Sequence, residues 1–165
     1  MGQTLPSPDR EPLLQIRRAF LRDVEGLAAV MASRGGTADD HMGNALRSIE
    51  KLPIFLVAEV DGATIGWCGA QRVSIREGED PEWLISGLAV VPGFRRIRIA
   101  SKLMQSVIEA VSGSDSGSLI FSIVNANNAP SIALHKGLGF SEVSRGASFA
   151  GVEFDGGEGV LFVRN

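Results

Sequence analysis

Arg95, Arg96 and Arg98 crowd one short stretch of a chain that carries 16 Lys and Arg against 19 Asp and Glu. They lie in the segment LISGLAVVPGFRRIRIASKLMQSVI (84–108), which reads as a buried strand, a Pro-Gly turn and an apolar-faced helix. A helix that starts directly after a strand presents unpaired N–H groups and the positive end of its dipole. Anions, phosphates above all, bind there. Three cations so close repel one another unless something neutralises them. The stretch is therefore either a phosphate cradle or a solvated basic turn, and three arginines by themselves favour the solvated turn. The other reactive side chains read more plainly. Cys68 is the single cysteine, with no histidine in a partner motif, and is expected to be a small buried hydrophobe. Trp67 and Trp83 are expected in the core or a pocket wall, and His41 on the surface of a polar helix.

The elements that must position these residues follow from periodicity and punctuation. Residues 13–20 read as a strand, and Asp23 as the cap of a helix holding Val24, Leu27, Ala28 and Met31. Gly35-Gly36 breaks it, and Thr37 opens a second helix that Pro53 stops. Residues 54–60 and 63–75 form two strands around Asp61-Gly62, a hairpin signal. Residues 83–91 are a third central strand. Ile97, Ala100, Leu103, Met104, Val107, Ile108 and Val111 then fall on one helical face. Residues 119–124 are a short strand, after which Asn128 caps a helix with Pro130 in its first turn. Gly139 ends that helix in a left-handed cap. Final strands cover 141–149 and 160–164, joined through Asp155-Gly156-Gly157. The order β-α-α-β-β-β-α-β-α-β-β is a mixed α/β (α+β) domain, with residues 1–12 as a loose tail and 13–165 as one domain.

Two blocks carry a resemblance. GLAVVPGFRRIRIASKLM resembles the acyl-CoA-binding signature of the GNAT superfamily of N-acyltransferases: a strand ending Leu-Ala-Val, then x-Pro, then [Arg/Gln]-x-x-Gly-x-[Gly/Ala] opening a helix. Leu88-Ala89-Val90, Pro92, Arg95 and Ala100 match it. NANNAPSIALHKGLGF is similar to the family's Asn-x-x-Ala-x-x-Leu-Tyr-x-x-x-Gly-Phe helix, with Asn128, Leu134, Gly139 and Phe140 aligned and Ser131 at the small-residue position. The resemblance implies a central mixed, mostly antiparallel sheet with splayed parallel strands and flanking helices. It implies acetyl-CoA as acyl donor. The backbone of Leu88, Ala89 and Val90 would pair with pantetheine, and the turn Arg95, Arg96, Ile97, Arg98, Ile99, Ala100 and Ser101 would hold the pyrophosphate, with Asn128 beside it. An N–H near Leu88 would act as oxyanion donor. The acceptor would be a primary amine, on a small molecule or a peptide. Dimers are frequent in the family, so a homodimer is among its implications.

Three departures bear on that reading. Arg98 stands where the family has a loop glycine, which would let phosphate approach bare backbone; the expectation is that Arg98 points outward and cofactor affinity is weakened but kept. His135 stands where the family has the tyrosine that protonates the departing thiolate, and the chain has no tyrosine. A histidine titrates near ~6.5 rather than ~10, and it is either a surrogate acid or a partly exposed helix residue. The central strand lacks the carboxylate that would accept the amine's proton; Glu82 at its start is the nearest candidate and Glu59 the next, although both also read as solvated strand ends.

Composition narrows the rest. A formal charge of −3 argues against a bulk-charge nucleic-acid binder, and one cysteine excludes a Cys-based zinc site, so no metal is expected. No apolar run approaches the ~20 residues of a membrane helix. The start, MGQTLPSPDREP, has no stretch of signal-peptide character, which predicts a cytoplasmic protein. The reading is thus an acetyl-CoA-dependent N-acetyltransferase. The competing readings are a CoA-binding or regulatory domain without turnover, and an interaction module whose arginine turn meets another anion.

Overall fold

The computed structural model describes residues 13–95, 98–154 and 157–165. The expected tail 1–12, Arg96, Ile97 and the Asp155-Gly156 part of the last connection lie outside the described residues. Strand β1 (Leu14–Arg18) leads through a 3-10 turn (Leu21–Asp23) into α1 (Val24–Ala32) and α2 (Ala38–Lys51). Asp23 precedes α1 as expected, but its carboxylate makes no cap bond to that helix. It accepts the Phe20 N–H at 2.7 Å and both terminal nitrogens of Arg17 at 2.8 Å. The paired guanidinium of β1 is a stronger partner than an exposed helix N–H. Thr37 and Asp40 close a reciprocal cap on α2, each accepting the other's backbone N–H.

The hairpin β2 (Ile54–Val60) and β3 (Ala63–Ser74) turns at Asp61 and Gly62, both at positive φ (48° and 85°). That is the two-residue turn whose twist matches the strands. After β4 (Pro81–Val90) come α3 (Ile99–Ser114), β5 (Ile120–Asn125) and α4 (Ala129–Gly137). Gly139 sits at φ 87°, while Gly139 N–H donates to the Lys136 carbonyl and Phe140 N–H to that of His135. These two bonds are the Schellman closure expected of that glycine.

The expected strand over 141–149 is two pieces. β6 (Ser141–Gly146) stays on the main sheet, whereas β7 (Ser148–Phe149) leaves it to pair with β8 (Val152–Glu153). Ala150 and Gly151 take positive φ (50° and 77°), and this tight reversal folds the chain back on itself. Phe149 then packs with Ile75, Leu84 and Leu161. With β9 (Gly159–Arg164) the main sheet has seven strands in the order β1-β2-β3-β4-β5-β9-β6. Every neighbouring pair in it is antiparallel except β4 with β5.

Besides the Phe149 cluster, two larger cores hold the sheet. On one face α3 inserts Leu103, Met104, Val107 and Val111, all at most 1% exposed, against Cys68, Ile85, Val90, Ile120 and Phe162. On the other face Leu27, Ala28 and Ala45 of the two N-terminal helices cover Phe55, Val57 and Trp67. Register along β4 decides what each face receives. Gly69 faces Gly87 and Ala70 faces Ile85, so Ser86 is an extra residue, a β-bulge. Before it Trp83 and Ile85 point to the α3 core, and after it Leu88 and Val90 do. A Cβ at Gly87 would run into the Trp67 ring, 2.8 Å from Cζ3, so only glycine fits at this corner.

Candidate active site

The sheet is split where β4 meets β5. Among the described residues the two strands pair at only two positions, Trp83 with Ile120 and Leu84 with Phe121. Beyond them β4 continues to Val90 held by β3, and β5 continues to Asn125 held by β9. The bulge at Ser86 lies just after the last shared pair. An added residue bends and twists its strand, so β4 leaves the direction of β5 there. The fork opens a cleft of about 770 Å³. Its walls are the end of β4, the C-terminal part of β5, the first turns of α3 and the first turns of α4.

The mouth of the cleft is cationic. Arg34, Arg95 and Arg98 all line it. Among the described residues the ion pairs use Arg17, Arg72, Arg76 and Arg145, and none of these three. Partial burial, and then the Arg95 charge, push the Arg34 pKa down. An anion between the two would relieve both effects. Arg95 Nε donates to the Val90 carbonyl at 3.0 Å, which ties the side chain to the end of β4. Arg98 is the N-cap of α3 in the left-handed region, φ 62° and ψ 20°, with no side-chain cap bond. It holds the backbone shape that a glycine adopts freely. The first-turn N–H groups of Ile99, Ala100 and Ser101 have no intrahelical acceptor in such a start.

The interior of the cleft holds a buried polar pair. His135 of α4 and Ser122 of β5 are each 3% exposed and both line the cavity. His135 Nδ1 lies 2.7 Å from the Ser131 carbonyl oxygen, and Nε2 lies 2.7 Å from Ser122 Oγ. A carbonyl can only accept, so Nδ1 carries the proton and Nε2 accepts from the Ser122 hydroxyl. Phe162 stacks on the ring and Phe140 meets it edge-on, both at 5.2 Å between centroids. Burial pushes the His135 pKa below 6.5, and the Ser131 carbonyl offsets part of that shift. The partly exposed helix histidine, one of the two sequence readings, is therefore not what the fold contains.

The fork gathers most of the residues named from sequence. Leu88, Val90, Arg95, Arg98, Ala100, Ser101, Asn128 and His135 line the cleft. Arg98 is exposed and belongs to this lining. Ala89 and Ile99 are buried at 2% and 1% outside the lining, and Arg96 and Ile97 lie outside the described residues. Asn128 Oδ1 accepts the Ser131 N–H at 3.2 Å as the cap of α4. Glu82 is not brought to the cleft: it faces Val73, one residue before the paired end of the fork. Glu59 is held by Arg17 at 3.2 Å. Cys68 is fully buried and its thiol is pushed up to about 12. Sequence reasoning missed Arg34 and Ser122. For Ser122 a signal existed: Ile120, Ser122 and Val124 share one face of β5, and a hydroxyl between two buried aliphatics needs a partner. Among the described residues no cluster of His, Cys, Asp or Glu is placed to hold a metal ion, and no helix is long and apolar enough to cross a membrane.

Known proteins are similar to this chain in sequence family and in fold. A model of the acetyltransferase (GNAT) family matches residues 19–140. An N-alpha-acetyltransferase of Sulfurisphaera tokodaii is 30% identical over 95 residues, a match covering 54% of this chain. The chain spans little more than half of that relative, 57% of its length. The solved ribosomal-protein-alanine N-acetyltransferase of Brucella melitensis superposes with a TM-score of 0.71 at 22% identity, over 91% of this chain and 98% of that one. Naa50 of Arabidopsis thaliana, solved with the bisubstrate analogue CoA-Ac-MVNAL, gives 0.71 at 16% identity, over 92% and 98%. At these identities the structural likeness is one of fold.

Proposed function

The chain belongs to the GNAT acetyltransferase family, and from that premise we propose that residues 13–165 act as one domain that transfers an acetyl group from acetyl-CoA to a primary amine. The observation that carries this reading is the fork: two parallel strands that share two pairs and then separate. Such a gap bares backbone N–H and C=O groups, which must find partners. A pantetheine arm has amides spaced to serve as those partners, with Leu88 and Val90 on one side. Its diphosphate would sit at the start of α3, where Ala100 and Ser101 present first-turn N–H groups and Arg34, Arg95 and Arg98 supply positive charge. Arg98 at φ 62° supports this, because it holds at the loop-glycine position of the motif a backbone shape that glycine adopts freely. The donor sits as a substrate in this cleft, and its chemistry is that of a thioester.

The amine attacks the thioester carbonyl directly, and a tetrahedral intermediate collapses with loss of the thiol. A main-chain N–H near Leu88 acts as the oxyanion donor, since the cleft lining includes Leu88 just past the bulge. His135 is the side chain through which the departing sulfur gains its proton, supported by its burial on the cleft wall. Glu82 is set aside as the base, being outside the lining. Catalysis then comes mainly from positioning and fixed dipoles. The acceptor class is a primary amine; the peptide analogue bound to Naa50 makes a peptide α-amine the first to test.

The test is thiol release from acetyl-CoA with a pool of short peptides bearing free N-termini and of small aliphatic amines, beside a calorimetric measurement of acetyl-CoA binding. Binding and amine-dependent thiol release are expected. Binding without release for every amine would make the chain a CoA-binding domain without turnover, and no binding would remove the cofactor from the account.

A further inference from the structure

Acyl transfer from a thioester to an amine must move one proton from nitrogen to sulfur. The cleft-facing stretch of β4, residues 85–90, has no carboxylate to take that proton. Glu59 is tied to Arg17, and Glu82 lies outside the lining. The buried polar pair on the opposite wall has the right atoms. Ser131 C=O holds the Nδ1 proton of His135, so Nε2 keeps a lone pair, and Ser122 Oγ–H donates to it at 2.7 Å. Phe140 and Phe162 hold the ring, so its direction does not change as protons move. In this resting state the pair can accept a proton and later return it.

We propose that Ser122 and His135 form one proton shuttle that carries the amine's proton to the departing sulfur, with Ser122 touching the reacting atoms and His135 acting through it. The proposal rests on the acetyl-transfer reading above. The steps balance. The amine lone pair forms the C–N bond as the carbonyl π pair moves onto oxygen, and nitrogen becomes positive. That nitrogen gives a proton to Ser122 Oγ while Ser122 passes its own proton to His135 Nε2. The oxygen pair then re-forms C=O, the C–S bond breaks, and sulfur leaves with the bonding pair. His135 returns its proton to Ser122, and Ser122 gives one to sulfur. Nitrogen and sulfur are bonded to one carbon, so a single hydroxyl can serve both. Burial of the His135 ring disfavours a lasting imidazolium, which suits a proton held only in passing. The same hydroxyl and imidazole could make a serine nucleophile. A shuttle needs only hydrogen-bond reach, however, whereas a nucleophile needs an open approach to the carbonyl carbon, and Ser122 is 3% exposed.

The experiment compares the full chain with Ser122→Ala, His135→Phe, the double variant and Ser122→Thr, using acetyl-CoA and the fastest amine of the pool. Phenylalanine keeps the ring stack, and alanine removes only a hydroxyl, so Ser122→Ala decides the outcome if His135→Phe fails to fold. Each single change is expected to lower kcat about 10²-fold with acetyl-CoA Kd unchanged. The double variant should lose no more than either single, because the two act as a unit. Ser122→Thr should recover much of the rate. Unchanged kcat in Ser122→Ala, or losses that multiply in the double variant, overturns the shuttle. An acetyl adduct on Ser122 by mass spectrometry overturns it in favour of a serine nucleophile. Absence of thiol release by the wild type defeats the functional reading itself, which the variant series does not.

Discussion

Arg17 and the three arginines of the cleft are built into this molecule differently. Arg17 is 16% exposed and closed on both sides, by Asp23 at 2.8 Å and Glu59 at 3.2 Å. It joins β1, the turn before α1 and β2, and nothing is left over to bind. Arg34, Arg95 and Arg98 line a cavity with no carboxylate paired to any of them among the described residues. Arginine by itself therefore says little about function. What separates a structural guanidinium from a binding one is whether the fold supplies its counter-charge or leaves that to a ligand.

The comparison can be broken most sharply at Arg17. Arg17→Met leaves Asp23 buried without its partner, and removing one member of such a pair costs about 3–5 kcal/mol. Urea denaturation should show that loss, while acetyl-CoA Kd should hardly move; a large change in Kd would erase the distinction. The wild-type pair should also fail in acid. Arg17 holds the Asp23 pKa below 3.8, so the stability it confers is present above pH 3.8 and is lost as pH falls through the lower folded value.

Next in size is Arg95. Arg95→Ala removes a charged hydrogen-bond donor worth about 1.5–3 kcal/mol, which is about 10–140-fold in acetyl-CoA Kd. Its Tm should stay close to wild type. Raising salt from ~0.03 to ~0.3 M should weaken cofactor binding in wild type more than in the variant, since exposed charges are screened. A salt response equal in both would place the phosphates elsewhere.

A smaller effect with opposite sign is expected at Arg98. An L-residue held at φ 62° is strained, and Arg98→Gly should raise stability by up to about 1 kcal/mol. Removing the guanidinium takes one of the three cleft charges, so acetyl-CoA Kd should rise, but by less than in Arg95→Ala, because the backbone shape is already that of glycine and stays in place. A calorimetric titration beside a thermal melt separates the two effects.

The smallest effect concerns His135. Its folded pKa lies below 6.5, so the folded state resists protonation more than the unfolded chain does. Stability should decline as pH falls from about 6.5 toward the folded pKa, and then stop declining. His135→Phe should lack that limb in melts recorded between about pH 7 and pH 5.

Much of the molecule was legible in the chain because it depends on neighbours a few residues apart. Asp61-Gly62, the Thr37–Asp40 cap and the Gly139 closure all appear where their residues demand them. Other features were hidden for identifiable reasons. Asp23 fits a helix cap, but its true partner comes from β1 and a pairing set by β2. Residues 141–149 alternate well enough for one strand, yet the reversal at Ala150-Gly151 draws Phe149 into a separate cluster. Glu82 is near the signature in sequence but sits at the closed end of the fork, with strand length separating it from the open end.

The amino-acid order by itself determined most of the elements, the Thr37 and Gly139 caps, the Asp61-Gly62 turn and the two signature blocks, because those rest on local geometry and on which face of each element is apolar. The tertiary structure alone decided where β4 and β5 part, which arginines were left without a carboxylate among the described residues, and that Ser122 would meet His135. These depend on register across strands far apart in the chain. A one-residue bulge changes which side chains share a cleft, and distance in space cannot be read from distance along the sequence.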